Sequence, residues 1–297
     1  MSHHQATKCG NEGEELRISI PPFAYEEKRL PTPSFMFLGP RDETRVQAAC
    51  VAEMVNVPRW IVFCSPRDDE GNLSTTARNF WSKRFGSDGP VYDLKDMDTV
   101  LDKIIKFQCM KSRLYRKVLK KPFPDLYRLG LIFEVGPRES VIGHHCQGCN
   151  CNVDDLSALD DFMGNARCYH IVPIIVTAYF KLLHPSCRIN TDYWFLGTHQ
   201  RRTLSVLFEE LITNHETFEE FYDVHQTISP QWLVIDKTIF EAFPYKLWST
   251  HGTPGLLGSE AFRHFMRTVA RLTKPWKRNL MGKISYFDET DSGEEKD

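Results

Sequence analysis

Four cysteines and three histidines crowd into the 28 residues from Gly143 to His170, GHHCQGCNCNVDDLSALDDFMGNARCYH. Average composition along this chain would place about two there. Thiolate sulfur and imidazole nitrogen are zinc ligands, usually four of them in a tetrahedron. Two ligands one or two residues apart make a local chelate, and a second close pair brought back by a loop completes the shell. Cys149-x-Cys151 and Cys168-x-His170 supply two such pairs, with 16 residues between them. Cys146-x-x-Cys149 competes for the first position, and His144 and His145 stand in reserve. The surplus of thiolates points to a structural zinc ion, because catalytic zinc keeps three protein ligands and an open water. The competing account is a group of free thiols, some buried as small hydrophobes.

CxC followed by CxH resembles the SWIM-type zinc finger over roughly residues 130–183 and no more of the chain. The resemblance implies a strand before the first pair, supplied here by LYRLGLIFEV. It also implies a helix after the histidine, for which IVPIIVTAYF is the candidate, with Pro173 in its first turn. The extra HHC before the first pair departs from the family's pattern. A weaker likeness is to the Maelstrom domain, an RNase H-like fold with a Glu/His/Cys/His zinc site, and it rests on FLGPRDETRVQAACVAEM and RCYH. That family spaces its Cys and His by two residues rather than one.

Carboxylates form the second chemical constellation. Asp42 and Glu43 follow the first predicted strand, Asp93 the third, and Asp236 the strand QWLVI. An RNase H-like nuclease uses carboxylates at strand ends to hold two metal ions that clamp the attacking and leaving oxygens. Asp236 in PQWLVIDK also resembles the acidic position of transposase-derived sequences that carry SWIM fingers, although there the finger follows the catalytic core. This reading requires Asp42 or Glu43, Asp93 and Asp236 to converge within about 4–8 Å. The plainer account makes each acid a cap at a helix or turn.

Basic residues form the third. KSRLYRKVLKK, 111–121, carries Lys111, Arg113, Arg116, Lys117, Lys120 and Lys121 around Tyr115. A second run, 263–283, carries Lys274, Lys277 and Arg278 beside Trp276. Lysine and arginine neutralise phosphates, and aromatic rings stack on exposed bases, so both runs are candidate DNA or RNA contacts. Neither GxxxxGK[ST] nor GxGxxG occurs, and GxSxG and HExxH are absent as well.

These residues need a frame to hold them. Strands are expected at 34–40, 59–64, 90–94, 126–135, 192–196 and 231–235. Helices are expected from Arg41 to about Val57, after Ser74, from Asp96 to Leu119, and over 171–183, 203–213 and 259–272. Strand–helix alternation of this kind predicts an α/β fold, a mostly parallel sheet with covering helices, together with a zinc-binding module. Residues 1–33 read as a flexible lead-in and 34–121 as one α/β unit. Residues 122–286 read as the zinc module plus a second unit, divisible from the first or continuous with it, and 287–297 as a disordered acidic tail.

Composition is ordinary for a globular chain, with 41% hydrophobic and 26% charged residues. A net charge of −2 means that any affinity for nucleic acid comes from local patches. The longest apolar stretch, 13 residues from Ile171 to Leu183, is too short to cross a bilayer, so no membrane partner is expected. Clustered cysteines without a legible export signal suggest the nucleus or cytoplasm. The expected function is a non-enzymatic, zinc-stabilised scaffold with protein partners in a nucleic-acid-processing or nuclear complex. A carboxylate-dependent nuclease and a protein-only adaptor are the alternatives.

Overall fold

The computed structural model describes residues 20–248 apart from 21, 26–29, 31, 56, 66–74, 86–89, 137–157, 181–182, 184, 212–216 and 239–244. Within them the chain alternates β1 (Phe35–Leu38), α1 (Arg41–Val55), β2 (Trp60–Cys64), α2 (Thr76–Arg84), β3 (Val91–Asp93) and α3 (Met97–Arg113). It continues with β4 (Leu129–Val135), α4 (Ala158–Asn165), β5 (Ile171–Thr177), α5 (Pro185–Ile189) and β6 (Tyr193–Leu196). Then come α6 (Arg201–Leu211), α7 (Phe218–Ile228), β7 (Trp232–Asp236) and β8 (Tyr245–Trp248). The strands form one eight-stranded sheet in the order β3-β2-β4-β5-β1-β6-β7-β8. Its first six strands run parallel, and β7 and β8 are antiparallel additions at one side. The α/β fold with a mostly parallel sheet is therefore established.

The strands read as unbroken apolar runs because the sheet is covered on both faces. Successive side chains point to opposite faces. Met36 and Leu38 thus join a core with Phe63, Phe133, Phe162, Trp194 and Phe221, packed by α3, α4, α6 and α7. Phe35 and Phe37 join the other core with Val62, Ile132, Ile174 and Phe195, packed by α1 and α2. Aromatic rings knit each layer: Phe37 stacks on Phe195 at 4.4 Å and Phe63 on Phe133 at 5.3 Å. α7 opens with a reciprocal capping box, in which Thr217 Oγ1 accepts from the Glu220 N–H and the Glu220 carboxylate from the Thr217 N–H.

Two segments differ from the sequence expectations. Residues 171–177 are a central strand rather than a helix. The run Ile-Val-Pro-Ile-Ile-Val-Thr is buried throughout, and β-branched residues at every position but one favour a pleated surface. Pro173 is accommodated because β1 pairing starts one residue later, at Ile174, so the proline faces only β4 across the ladder. α3 is regular to Arg113 and then widens into a π-helical turn, Leu114–Leu119, which ends on Lys120 at φ 52°. The helix expected over 259–272 lies outside the described residues, as do most of the lead-in and the acidic tail.

Close packing yields a contrast between two glycines. A Cβ on Gly130 would lie 2.2 Å from the ring of Trp60, itself buried under the sheet. A Cβ on Gly164, within α4, would meet only Asn190, at 3.9 Å. Gly130→Ala should lower the free energy of urea unfolding by about 1–3 kcal/mol. Gly164→Ala should be neutral or stabilise by up to about 1 kcal/mol. Equal unfolding midpoints for the two variants would contradict this packing.

Candidate functional site

In an open α/β sheet, ligands bind beyond the carboxyl ends of the strands, where the strand order reverses direction. Here that point is β1, whose chain leaves toward β2 on one side while β5 and β6 later flank it on both sides. The turn after β1 is only Gly39 and Pro40 before α1 begins at Arg41. The indole of Trp232 lies over it: a Cβ on Gly39 or on Gly197, which follows β6, would sit 2.9 Å from that ring. The first turn of α1 presents Asp42 and Glu43, acids that already complement the positive end of the helix dipole.

Beside that end of the sheet a charged network is buried between β4 and the helices α1 and α2. Glu134 is fully buried on β4, pointing to the face covered by α1 and α2. Its Oε1 accepts from Arg41 Nε at 2.8 Å and from Arg45 Nε at 2.8 Å, with Arg45 Nη2 at 2.7 Å. Its Oε2 accepts from Trp81 Nε1 at 2.7 Å. Arg45 also pairs with Asp42. One carboxylate therefore ties both helices of this face to the sheet. Next to it, burial and the Glu134 charge push the Cys64 thiol up to about 12, so it is a packed side chain and not a nucleophile.

Two histidines line the same end of the sheet. His225, on α7, has Nε2 2.8 Å from the Gly197 carbonyl. Burial pushes the His199 imidazole down to about 4, with neighbouring His225 adding to the effect and a hydrogen bond to the Leu38 backbone opposing it. Burial lowers His225 as well, against its bond to Gly197. Both rings are held neutral by their surroundings at ordinary pH.

The four predicted carboxylates do not converge. Asp42 and Glu43 stand at the carboxyl end of β1. Asp93 ends β3, four strand spacings or about 19 Å away across the sheet. Asp93 is engaged by Arg78 at 2.6 Å and by Lys95 at 3.8 Å. Asp236 ends an antiparallel strand opposite Tyr193, and so lies at the other end of the sheet. There it accepts from the N–H and hydroxyl of Thr238 in a local turn. Asp42 and Asp93 are held in ion pairs and Asp236 in a local turn, and among the described residues no three acids are grouped to share a metal ion.

The expectation of zinc is corrected. Among the described residues no group of three or more His, Cys, Asp or Glu side chains is placed to hold a metal ion. Cys168 is exposed, whereas the His170 ring lies flat on Phe123, 4.0 Å away with 4° between the planes. Its Nε2 is 3.5 Å from Ser112 Oγ. The second chelate pair is thus divided between solvent and an aromatic stack. His144, His145, Cys146, Cys149 and Cys151 lie outside the described residues.

The first basic run is displayed on a ridge. Arg113, Arg116, Lys117, Lys120 and Lys121 are exposed, and Lys111 is half-buried. The Lys111 ammonium sits 4.3 Å from the centre of the Phe107 ring and 3.9 Å from that of Tyr127. Burial, with Arg59 close by, lowers its affinity for a proton. Tyr115, Phe123 and Tyr127 pack ring to ring beneath the run, with centroids 5.7–6.2 Å apart. Lys274, Trp276, Lys277 and Arg278 lie outside the described residues, so only the first run is placed. Sequence reasoning missed Glu134, although LIFEV does carry the signal: an acid inside an otherwise apolar strand demands buried partners.

No family model matches the chain, and no curated protein matches it. Solved structures of similar architecture include the DNA-packaging ATPase B204 from Sulfolobus turreted icosahedral virus. It is 13% identical at a TM-score of 0.48, over 74% of this chain and 98% of that one. The genome packaging NTPase B204 from Sulfolobus turreted icosahedral virus 2, in complex with AMPPCP, is 13% identical at 0.44, over 75% and 99%. The pCW3 conjugation coupling protein TcpA, with ATPγS, is 10% identical at 0.47, over 82% and 65%. At these levels the likeness concerns the arrangement of strands and helices and carries nothing about activity.

Two outcomes follow from the crevice. Glu134→Gln leaves two guanidinium groups without their shared counter-charge and should cost about 3–5 kcal/mol in urea unfolding. Asp42→Asn should cost under about 1 kcal/mol, since that carboxylate is 87% exposed. Similar losses would show that Glu134 does not centre the network. The histidines set a pH dependence. Their folded values are depressed, so the unfolded chain binds protons first as pH falls. Through His199, stability should hold above about pH 6.5 and decline toward pH 4 by up to about 1.4 kcal/mol per unit, with His225 acting in the same direction. His199→Gln should make that decline shallower, and an unchanged slope would remove His199 from the account.

Proposed function

We propose that the chain is a non-enzymatic scaffold in a nucleic-acid-processing or nuclear complex, engaged through the ridge formed by α3 and the wide turn after it. One observation carries this reading. Of eight large hydrophobic residues exposed among the described residues, six belong to this ridge and the segment that follows: Phe107, Met110, Leu114, Val118, Leu119 and Leu126. Contiguous apolar surface rimmed by polar groups marks a protein interaction site. The separation of Asp42, Asp93 and Asp236 across the sheet favours the non-enzymatic half of the proposal over a carboxylate-dependent nuclease.

The lysines and arginines of the same ridge favour a role near nucleic acid, directly or through partners that handle it. The apolar residues favour a protein-only adaptor as the second reading.

Leu114→Glu combined with Val118→Glu tests the proposal. Both side chains are exposed, so the melting temperature should stay within about 2 °C of the parent. The proteins that co-purify with the tagged chain from its native cells should be lost. Retention of the same partners by a folded double variant would remove the ridge from the assembly.

A further inference from the structure

The ridge is chemically one-sided. From Lys103 to Lys121 the sequence has eight Lys or Arg residues and no Asp or Glu, in a chain whose net charge is −2. Phe107, Met110, Leu114 and Val118 recur at intervals of three and four along it, so they share one face as the helix winds. All four are exposed. At the foot of this stripe lies a mostly apolar cleft of about 250 Å³, lined by Arg59, Ile61, Ile104, Phe107, Tyr127 and Leu129. Lys111 and Arg59 both sit over the Tyr127 ring, at 3.9 and 5.9 Å. The cleft is thus a concave apolar anchor point under two fixed cations, and the stripe continues it outward.

We infer that this surface binds an acidic amphipathic helix of a partner protein, with a bulky apolar side chain of that helix seated in the Arg59–Phe107–Tyr127 cleft and its carboxylates on the surrounding lysines and arginines. The inference rests on the ridge being the assembly surface, and it names the chemistry of the occupant. Charge complementarity demands an anionic partner. An apolar stripe at helical spacing, ending in an anchor cleft, is how a helix is received in a groove. Phosphodiester backbone gains nothing from Met110, Leu114 or Val118, which makes nucleic acid the poorer fit. A lipid surface matches the basic stripe but cannot enter a concave cleft.

The test uses the full chain and a labelled synthetic helix, with leucines repeating at intervals of three and four and glutamates elsewhere. Fluorescence anisotropy at physiological salt should show binding at least tenfold tighter than for the same peptide with lysine in place of glutamate. Leu114→Glu should weaken it at least tenfold, as should Phe107→Ala, with both variants keeping the parent's melting temperature. If Phe107→Ala unfolds the chain, Leu114→Glu alone decides the matter.

Failure of the peptide to bind, or equal binding of both peptides, overturns the inference. Oligothymidylate binding in its place makes the occupant single-stranded nucleic acid, and phosphatidylserine vesicles binding in its place make it a membrane. A dimer in sedimentation that Leu114→Glu dissolves makes it a second copy. Each of these results overturns the acidic helix while leaving the ridge as an assembly surface. If no probe binds and the Leu114→Glu, Val118→Glu variant keeps its native partners, the reading of the ridge falls as well.

Discussion

The Glu134 carboxylate, sealed inside the protein, sets conditions that much of the fold must meet. A buried charge is tolerated only when paired and hydrogen-bonded. The pairing here is supplied from two separate helices, by Arg41 and Arg45 on α1 and by Trp81 on α2. The arginines are four residues apart, so they lie on one face of α1 and reach the same oxygen from successive turns. That geometry fixes the rotation of α1 about its own axis, and the indole fixes the distance of α2 from the sheet. An apolar side chain at position 134 would fill space without specifying either. The requirement extends to β4, which must place residue 134 toward α1 while Phe133 and Val135 enter the opposite core.

Close packing also governs the carboxyl ends of β1 and β6. Trp232 reaches across from β7 over Gly39 and Gly197, and the two glycines admit it because they carry no Cβ. The antiparallel pair β7–β8 thereby contributes to packing at the mouth of a parallel sheet. The exposed apolar and basic residues of α3 and its wide turn stand instead on the face of the sheet opposite α1 and α2.

Much of this was legible from pattern. FMFL, WIVFC and LGLIFEV are apolar runs of strand length, and the alternation with amphipathic helices gave a parallel sheet. The basic run at 111–121 was visible as charge. IVPIIVT was misread because a continuous apolar run has no periodicity to separate a buried helix from a buried strand. The resemblance to a zinc finger also called for a helix there. Zinc was expected from spacing alone, and spacing does not say which way a side chain turns: Cys168 and His170 are two residues apart yet part company at a turn in which His170 takes φ 57°. The Glu134 network joins residues 89 and 93 positions apart, a separation at which local pattern is silent. α4, α5 and β8 went unread because they are short and their burial is decided by neighbours distant in sequence, whereas α7, as long as α6, carried a legible start signal in Thr217-x-x-Glu220 that was overlooked.

The borders of the sheet have their own implication for evolution. β3 has three residues and β8 four, and β8 is further covered where the Phe23 N–H donates to the Leu247 carbonyl. Short margins, one of them occupied, offer little backbone for another chain to extend. Recognition that runs through main-chain ladders is tolerant of sequence, because every residue has the same amide. Recognition through side chains on a helical ridge is not. Exposed positions between Lys103 and Lys121 can therefore change freely in sequence while the two cores beneath stay as they are.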